Sequence, residues 1–309
     1  MDTTPNRGLH KYAVFTALST FLLLVAGALV TSNYAGLSIP DWPLAYGSLI
    51  PPMVGGIRYE YVHRVVATFV GLLTIGLATW LWKAEKRVWL RWLGLAALGG
   101  VVAQGILGGM TVRMYQPPAV SAAHATLAQL FFSTVIAIAV FTSAWWQNEL
   151  VEMEDTGAPR VQSLAIWTTV AVFLQLILGA AFRHNGFGII PHLIGAVIVT
   201  ILIFMTAGAL RRRFPHSRPL RKCARLLHIL IGVQLLLGAG AWWSRVYSVQ
   251  IPHLMAVMVT LTVAHTVTGA LVLAATLVAT LVSYRILGAD AGITVADSDS
   301  SATAERIAQ

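Results

Sequence analysis

Residues 254–284 read LMAVMVTLTVAHTVTGALVLAATLVATLVSY, an apolar run that contains one histidine, His265, and no Asp, Glu, Lys or Arg. A helix that crosses a lipid bilayer needs about 20 mostly apolar residues, so this stretch predicts a membrane-spanning helix. Seven further stretches have the same character. The eight predicted spans lie at roughly 12–31, 62–82, 92–112, 121–146, 162–182, 189–210, 226–243 and 254–284.

The composition of the whole chain indicates the same class of protein. Of its 309 residues, 57% are hydrophobic and 11% are charged, whereas soluble domains run at roughly 45–50% and 25%. This excludes a secreted enzyme, a disordered regulator and a cytosolic domain. The single cysteine, Cys223, excludes an internal disulfide, a redox-active cysteine pair and a cysteine-based metal cluster. We therefore predict an all-α polytopic membrane protein.

The Lys and Arg residues predict how the chain is oriented. With both termini in the cytoplasm, 16 of the 21 Lys and Arg residues fall on the cytoplasmic side. Cytoplasmic loops of membrane proteins carry such an excess, so we expect a multi-pass plasma-membrane protein that binds no nucleic acid. The five basic residues expected outside are Arg58, Arg64, Arg113, Arg183 and Arg245.

Two short internal similarities each relate one span to the span four places later. Residues 27–40 resemble 179–191 with one gap, and QGILG at 104–108 resembles QLLLG at 234–238. Four spans per repeat give both halves the same orientation, which predicts an axis along the membrane normal. We expect two pseudo-symmetric four-helix bundles, a type of fold that holds cofactors between facing helices.

The predicted division of the chain follows from these spans. The first bundle is predicted at 12–146 and the second at 162–285, joined by a cytoplasmic linker at 147–161. A cytoplasmic N-terminus at 1–11 precedes them, and a disordered tail at 286–309 follows. The tail is small and polar, which is typical of disordered segments.

Four histidines fall in the even-numbered spans at one depth. Counted to the cytoplasmic end of each span, their separations are 20, 22, 19 and 20 residues, or about 30 Å at the helical rise. These residues are His63, His124, His192 and His265. Ionisable groups inside a membrane indicate function, although any one of them could simply hydrogen-bond to a neighbouring helix. Two imidazoles facing each other across a bundle suit a six-coordinate heme.

The outer arginines and acids refine this hypothesis. Arginine recognises carboxylates such as heme propionates with a planar fork, although the five outer arginines could instead be interfacial anchors. Glu60 and His63 form a Glu-x-x-His pattern, but the only acids predicted outside are Asp41 and Glu60. A carboxylate-rich metal site therefore cannot form. His184 and His253 are second-ranked candidates for ligands of the heme iron.

Several motifs resemble the heme A synthase family. They are GLSIPDWP at 36–43, EYVHR at 60–64, QGILGGMTV at 104–112 and His124, and with the histidine of each even span the resemblance covers about 12–285. Members of that family oxidise a peripheral methyl group of heme O to a formyl group, giving heme A for cytochrome oxidases. The resemblance implies a membrane oxidoreductase with partners in heme O synthesis and cytochrome oxidase assembly, and a homo-oligomer is possible.

The resemblance also assigns the two histidine pairs. It implies that His63 and His124 bind the substrate heme O and that Glu60 is the catalytic acid, although Glu60 could instead stabilise a helix N-terminus. It implies that His192 and His265 bind a heme b cofactor. We expect the arginines to pair with the heme nearest to them: Arg58, Arg64 and Arg113 with the substrate, Arg183 and Arg245 with the cofactor.

The chain departs from the family pattern in one respect. Many members carry a cysteine pair in an outer loop, and this chain has none there, which puts a thiol route for electrons in doubt. A competing hypothesis is a diheme b-type electron-transfer protein that acts with quinones. It predicts two identical hemes and no need for Glu60. A transporter is a third possibility, but it predicts broken helices near the membrane midplane.

Overall fold

The computed structural model describes residues 6–148 and 152–288, and these residues are mainly helical. The helices are α1 (Arg7–Ser32), α2 (Ile57–Ala84), α3 (Val88–Arg113), α4 (Pro118–Thr142), α5 (Ala144–Gln147), α6 (Val161–Arg183), α7 (Ile189–Arg213), α8 (Arg218–Tyr247) and α9 (Met255–Ile286). A single 3₁₀ turn, Pro252–Leu254, precedes α9. Within the described residues there is no β-strand.

Eight of these helices, all except the short α5, are long and apolar enough to cross a membrane. This confirms the predicted all-helical fold with eight spans. Several boundaries differ from the prediction because a helix continues past its apolar segment into interfacial residues. The largest such extension is α8, which begins at Arg218 and includes the basic residues Arg221 and Lys222. Long basic side chains can extend toward water from such positions.

The predicted end of the fourth span, at residue 146, is wrong. Helix α4 ends at Thr142, and the hydroxyl of Ser143 accepts a hydrogen bond from the Trp146 amide at 3.2 Å. Serine in this position caps a new helix start, so the apolar residues that follow form the separate helix α5. The run of hydrophobic residues conceals this break.

The helices pack as two adjacent groups of four. In the first group α1 contacts α2 and α4, and α3 contacts α2 and α4; α6, α7, α8 and α9 form the same closed ring. The groups meet where α1 contacts α9 and where α4 contacts α6 and α9. This packing is compatible with the predicted pair of bundles, while the symmetry axis relating them stays a prediction.

Small residues let α4 and α9 approach each other at the interface between the groups. Phe132 of α4 is buried together with Ala270 and Ala274 of α9, and Phe21 and Leu24 of α1 pack against them. Small side chains permit close helix contacts in membranes, where packing rather than exclusion of water drives association. The helices that carry His124 and His265 therefore lie next to each other.

The predicted linker contacts the second group of helices where the structure describes it. The Asp155 carboxylate accepts a hydrogen bond from the Val161 amide at 2.6 Å and lies 3.3 Å from the Arg213 guanidinium. Arg285 donates to the Asn148 carbonyl at 2.6 Å. Of the predicted disordered tail, Ile286 still belongs to α9 and residues 287–288 follow it, while 289–309 lie outside the described residues. Residues 1–5 and 149–151 also lie outside them.

Candidate functional site

The four histidines singled out in the sequence lie at one end of the molecule. Helices α1, α3, α6 and α8 finish there, and α2, α4, α7 and α9 begin there. We call this the histidine end and the other the opposite end. Within each ring of four, α2 lies diagonally from α4, and α7 lies diagonally from α9. Each bundle therefore presents one histidine pair across its interior.

Every one of these histidines lies against a glycine of the preceding spanning helix. A Cβ atom added to the glycine would lie 3.4 Å or less from the imidazole Cε1 in all four cases. The pairs and distances are Gly27 and His63 at 3.2 Å, Gly108 and His124 at 3.4 Å, Gly179 and His192 at 3.0 Å, and Gly238 and His265 at 2.9 Å. Glycine permits this close approach, because an added Cβ would press on the ring at Gly238 and Gly179 and would leave little room at Gly27 and Gly108. The unit that repeats is thus a helical hairpin with one glycine and one histidine.

The imidazoles share an orientation that leaves Nε2 directed away from the glycine. At Gly27, Gly179 and Gly238 the added Cβ would be 3.5, 3.3 and 3.3 Å from Nδ1 but 4.0, 3.9 and 3.8 Å from Nε2. The buried Nδ1 atoms of His63 and His265 have no hydrogen-bond partner in the described structure, and the same holds for His124. Nε2 is a common metal-ligating atom of histidine.

A glutamine stands four residues before the glycine in three of the four hairpins. Gln104 donates to the His124 carbonyl at 2.9 Å. Gln175 donates to the His192 carbonyl at 2.8 Å, and its Nε2 lies 3.0 Å from His192 Nδ1. The third glutamine is Gln234, four residues before Gly238. In the remaining hairpin Leu23 occupies the corresponding position, four residues before Gly27 on α1. Sequence analysis missed Gln175, although the spacing Gln-x-x-x-Gly before three of the four histidines was the signal that could have found it.

The second histidine pair has the separation expected of two ligands of one metal. The ring centroids of His192 and His265 are 6.3 Å apart and the rings are nearly perpendicular, at 85°. With a metal–nitrogen bond of about 2 Å on each side and a ring radius of about 1.1 Å, two imidazoles on opposite faces of one ion have centroids about 6 Å apart. The residues present therefore fit the pair of axial ligands of a heme.

Phe182 and Arg245 flank this second pair. The Phe182 ring is stacked parallel to His192, with centroids 6.5 Å apart and an interplanar angle of 12°. The Arg245 guanidinium lies 5.7 Å from the centroid of the Phe182 ring. Sequence analysis did not single out Phe182, because one phenylalanine in an apolar helix carries no distinguishing signal.

The first pair lies on diagonal helices in the same way. His63 lies on α2 and His124 on α4, and the Nδ1 atoms of both are buried. His184 is the residue that follows the last turn of α6. His253 lies in the 3₁₀ turn before α9 and lines a surface groove with Tyr59 and Asn33. Among the described residues no group of three or more His, Cys, Asp or Glu could hold a metal ion.

Glu60 is buried beneath the loop that joins α1 to α2, with 4% of its surface exposed. Its Oε1 accepts a hydrogen bond from Arg64 at 2.7 Å, and its Oε2 accepts one from the Ile39 amide at 2.9 Å. Arg64 also donates to the carbonyls of Asp41 and Leu44, both at 2.8 Å. The ion pair thus holds the loop over the first bundle, one helical turn from His63.

The other predicted arginines have partners that the sequence could not indicate. Arg113 donates to the Trp42 carbonyl at 3.2 Å. Arg183 donates to the Thr31 carbonyl at 2.7 Å, which ties α6 of the second bundle to α1 of the first. Arg58 is exposed and donates to the Tyr59 hydroxyl at 3.0 Å. Of the five, Arg64 is the one that pairs with a carboxylate among the described residues.

Asp41 organises the tip of the same loop. Its carboxylate accepts hydrogen bonds from the backbone amides of Gly47 at 2.7 Å and Tyr46 at 2.6 Å. The Gly47 hydrogen bond, followed by that of Tyr46, holds the pKa of Asp41 below its ordinary value. A lowered pKa means that these bonds stabilise the turn fully above the ordinary carboxyl pKa and are lost as the pH falls through the lowered value.

We expect Asp41→Asn to speed proteolysis of this loop at neutral pH, because an amide has only one oxygen to offer the two donors. The rates for wild type and variant should converge only as the pH falls below the ordinary carboxyl pKa and through the lowered value. Limited proteolysis of detergent-purified protein, followed by mass spectrometry, measures this. A difference that does not depend on pH would contradict the role of the carboxylate charge.

Taken together, the fold and the site define a polytopic membrane protein with two histidine pairs, one in each of two adjacent helical bundles. Comparison with known proteins agrees with this class. The model of a family described as cytochrome oxidase assembly protein matches residues 57–191, which include His63 and His124.

Curated relatives extend the similarity over more of the chain. It is 26% identical to the heme A synthase of Shouchella clausii, over 73% of this chain and 84% of the relative. It is 27% identical to that of Alkalihalophilus pseudofirmus, over 75% and 86%. It is 31% identical to that of an Exiguobacterium species, over 59% and 60%. The chain is thus similar to heme A synthases over about three quarters of its length.

Proposed function

We propose that this protein is a heme A synthase, which oxidises a peripheral methyl group of heme O to a formyl group. The observation that carries the proposal is the repeated contact of glycine and histidine, which sets two facing imidazole pairs in one molecule. Paired neutral imidazoles at membrane depth are the ligands that a six-coordinate heme requires. The relatives named heme A synthase support the choice of reaction.

We assign the substrate heme O to His63 and His124, and a resident heme b to His192 and His265. The support is the unequal distribution of charge at the histidine end. Among the described residues, the acids there are Asp41 and Glu60, and both belong to the loop and helix above the first pair. An acid beside the first pair suits a site where bonds are made, whereas the described residues place no acid beside the second pair.

Glu60 is the residue that we assign to the chemistry. Arg64 and the Ile39 amide donate hydrogen bonds to its two oxygens and so hold the carboxylate in one position. A fixed negative charge one turn from His63 can stabilise positive charge that develops on a substrate carbon, or accept a proton from an attacking water. The loop above it excludes bulk water from the same place.

The second bundle has the residues to hold a cofactor in a fixed position. A bound heme b would supply electron transfer there. Gln175 fixes the His192 backbone and approaches its Nδ1, so the imidazole is directed before any ligand binds. Phe182 covers the outer face of the same ring.

The glycine contacts give a direct test of these heme assignments. In Gly238→Ala the new Cβ would lie 2.9 Å from His265, whereas in Gly232→Ala on the same helix it would meet nothing within 4 Å. We expect Gly238→Ala to lower the bound heme b by roughly tenfold, since overpacking commonly costs about 1–3 kcal/mol.

Gly232→Ala should retain wild-type heme, and the pyridine hemochrome spectrum per mole of protein measures both variants. On the first site, Gly105→Ala, which also meets nothing within 4 Å, serves as the control for Gly108→Ala. Heme loss of equal size in Gly232→Ala and Gly238→Ala would contradict the role of the contact.

We also propose a location and partners. The excess of Lys and Arg at the opposite end supports a cytoplasmic position for that end and for both termini, with the histidine end outside. The family's description supports a role in cytochrome oxidase assembly, and heme O synthase would deliver the substrate. A homo-oligomer in the plasma membrane is part of this proposal.

The competing function is a diheme electron-transfer protein, favoured by the fact that both pairs share the same glycine contact. The two functions can be distinguished by expressing this protein together with a heme O synthase in bacteria that lack their own heme A synthase. We expect heme A to accumulate in membranes that contain this protein. Membranes that contain abundant folded protein and heme O, but no heme A, would overturn the proposed activity.

A further inference from the structure

A groove of about 470 Å³ lies between α7 and α8 at the opposite end, far from the histidines in sequence and in the fold. It is lined by Phe204, Gly208, Arg211, Arg212 and His228. Nothing in the proposed reaction uses these residues. Their chemistry combines three basic side chains with an aromatic ring and a glycine.

The two arginines of the groove have no acidic partner among the described residues. The adjacent Arg213 does have one, because it pairs with Asp155 at 3.3 Å and donates to the Pro159 carbonyl at 2.9 Å. Arg211 and Arg212 are exposed, and their guanidinium groups are left available for an anion. Gly208 contributes space, since a Cβ there would lie 3.3 Å from the Arg212 Nη2.

His228 is held in a fixed direction on the other wall. Its Nδ1 lies 2.8 Å from the Ala224 carbonyl, the hydrogen bond expected when Nδ1 carries the proton. Its ring packs edge-on against Phe204, with centroids 5.2 Å apart. This leaves Nε2 as the polar atom of His228 that can face a bound group. Phe204 therefore orients the histidine and forms the apolar side of the groove.

An apolar stripe on α7 leads away from the basic end of the groove. Val197, Ile201 and Phe204 are 60%, 54% and 52% exposed. With Gly208 and Arg211 they follow one another at spacings of four, three, four and three residues, which places them on one face of the helix. A ligand that matches this face has an anionic head and an apolar tail parallel to the helix.

We propose that this groove binds one anionic glycerophospholipid, with its phosphate between Arg211, Arg212 and His228 and an acyl chain along the α7 stripe. Arginine recognises phosphate through paired hydrogen bonds, and basic pockets between spanning helices on the cytoplasmic side accept anionic head groups. A free phosphate would contact the basic residues alone, whereas a lipid would also follow the α7 stripe.

The test uses full-length protein in nanodiscs of phosphatidylcholine with increasing fractions of phosphatidylglycerol. Native mass spectrometry after transfer to mild detergent counts the retained lipid. We expect wild type to retain one phosphatidylglycerol and Arg211→Gln/Arg212→Gln to need a roughly thirtyfold higher fraction, the equivalent of about 1 kcal/mol for each charge. Arg218→Gln/Lys222→Gln, which removes two exposed cations of the same end from outside the groove, should behave as wild type.

Equal loss in both double variants would overturn the proposal, because it would show an unspecific basic surface. Inorganic phosphate that displaces the retained lipid at equal concentration would overturn the assignment to a lipid. His228→Leu provides a second test if the double arginine variant does not reach the membrane. It should weaken retention of phosphatidylglycerol several-fold, because leucine offers no ring nitrogen to the head group, and unchanged retention in His228→Leu would contradict the site.

Discussion

Replacing His192 or His265 by alanine is expected to remove the resident heme b from protein purified from a host that makes no heme O. In the proposed site each imidazole would supply one of two axial ligands, and the centroids of the two rings are 6.3 Å apart. His63→Ala and His124→Ala should keep nearly all of that heme b but abolish conversion of heme O. The absorption spectrum of purified protein and the heme A content of membranes measure the two effects.

His10→Ala is the matched control for these four variants. His10 also lies in a spanning helix, but at the opposite end, where its Nδ1 lies 3.1 Å from the Ala139 carbonyl. It should retain both heme b and conversion. Equal loss of the same heme from all four site variants would show that the two pairs are equivalent, and this would contradict their division into substrate and cofactor sites.

Glu60→Gln is expected to lower heme A formation by at least an order of magnitude while heme b stays near the wild-type amount. A single preorganised group aimed at a transition state is commonly worth about 3–4 kcal/mol. The amide preserves the size of the side chain but removes its charge, and a heme oxidised part of the way from methyl to formyl should accumulate. Heme extraction from cells that also express a heme O synthase measures conversion.

The structure adds a second consequence of this substitution. Both oxygens of Glu60 accept hydrogen bonds, from Arg64 and from the Ile39 amide, and an amide can accept only through its one oxygen. The loop should therefore be somewhat looser in the variant. Asp41→Asn, which weakens the same loop without touching Glu60, is the control. If Asp41→Asn and Glu60→Gln lose conversion equally, Glu60 acts by holding the loop and its assignment to the chemistry is wrong.

The sequence was sufficient to predict the elements that hydrophobicity determines. The eight spans follow from apolar runs, and the common position of the four histidines follows from counting along helices of constant rise. The boundary of α4 could not be predicted, because Ser143 caps a new helix inside an apolar run. The partners of Arg113 and Arg183 could not be predicted either, since they are backbone carbonyls brought close by tertiary packing.

The four glycines that contact the histidines could be predicted only in part from the sequence. Gly27 and Gly179 were visible in the sequence as members of a repeat, and so were Gly108 and Gly238. Their role could be recognised only from the structure, because the packing of neighbouring helices shows that each glycine lies against an imidazole. Gln175 was missed for a related reason: the sequence comparison paired spans four apart, whereas the glycine–histidine unit repeats every two spans.

The measurement that most directly tests the proposed division of labour is acid extraction and chromatography of the hemes in protein purified from cells that also make heme O. The two histidine pairs should hold chemically different hemes, so the extract should contain heme b together with heme O or heme A, in similar amounts. Heme b alone, at two per chain, would contradict the synthase and establish a diheme electron-transfer protein.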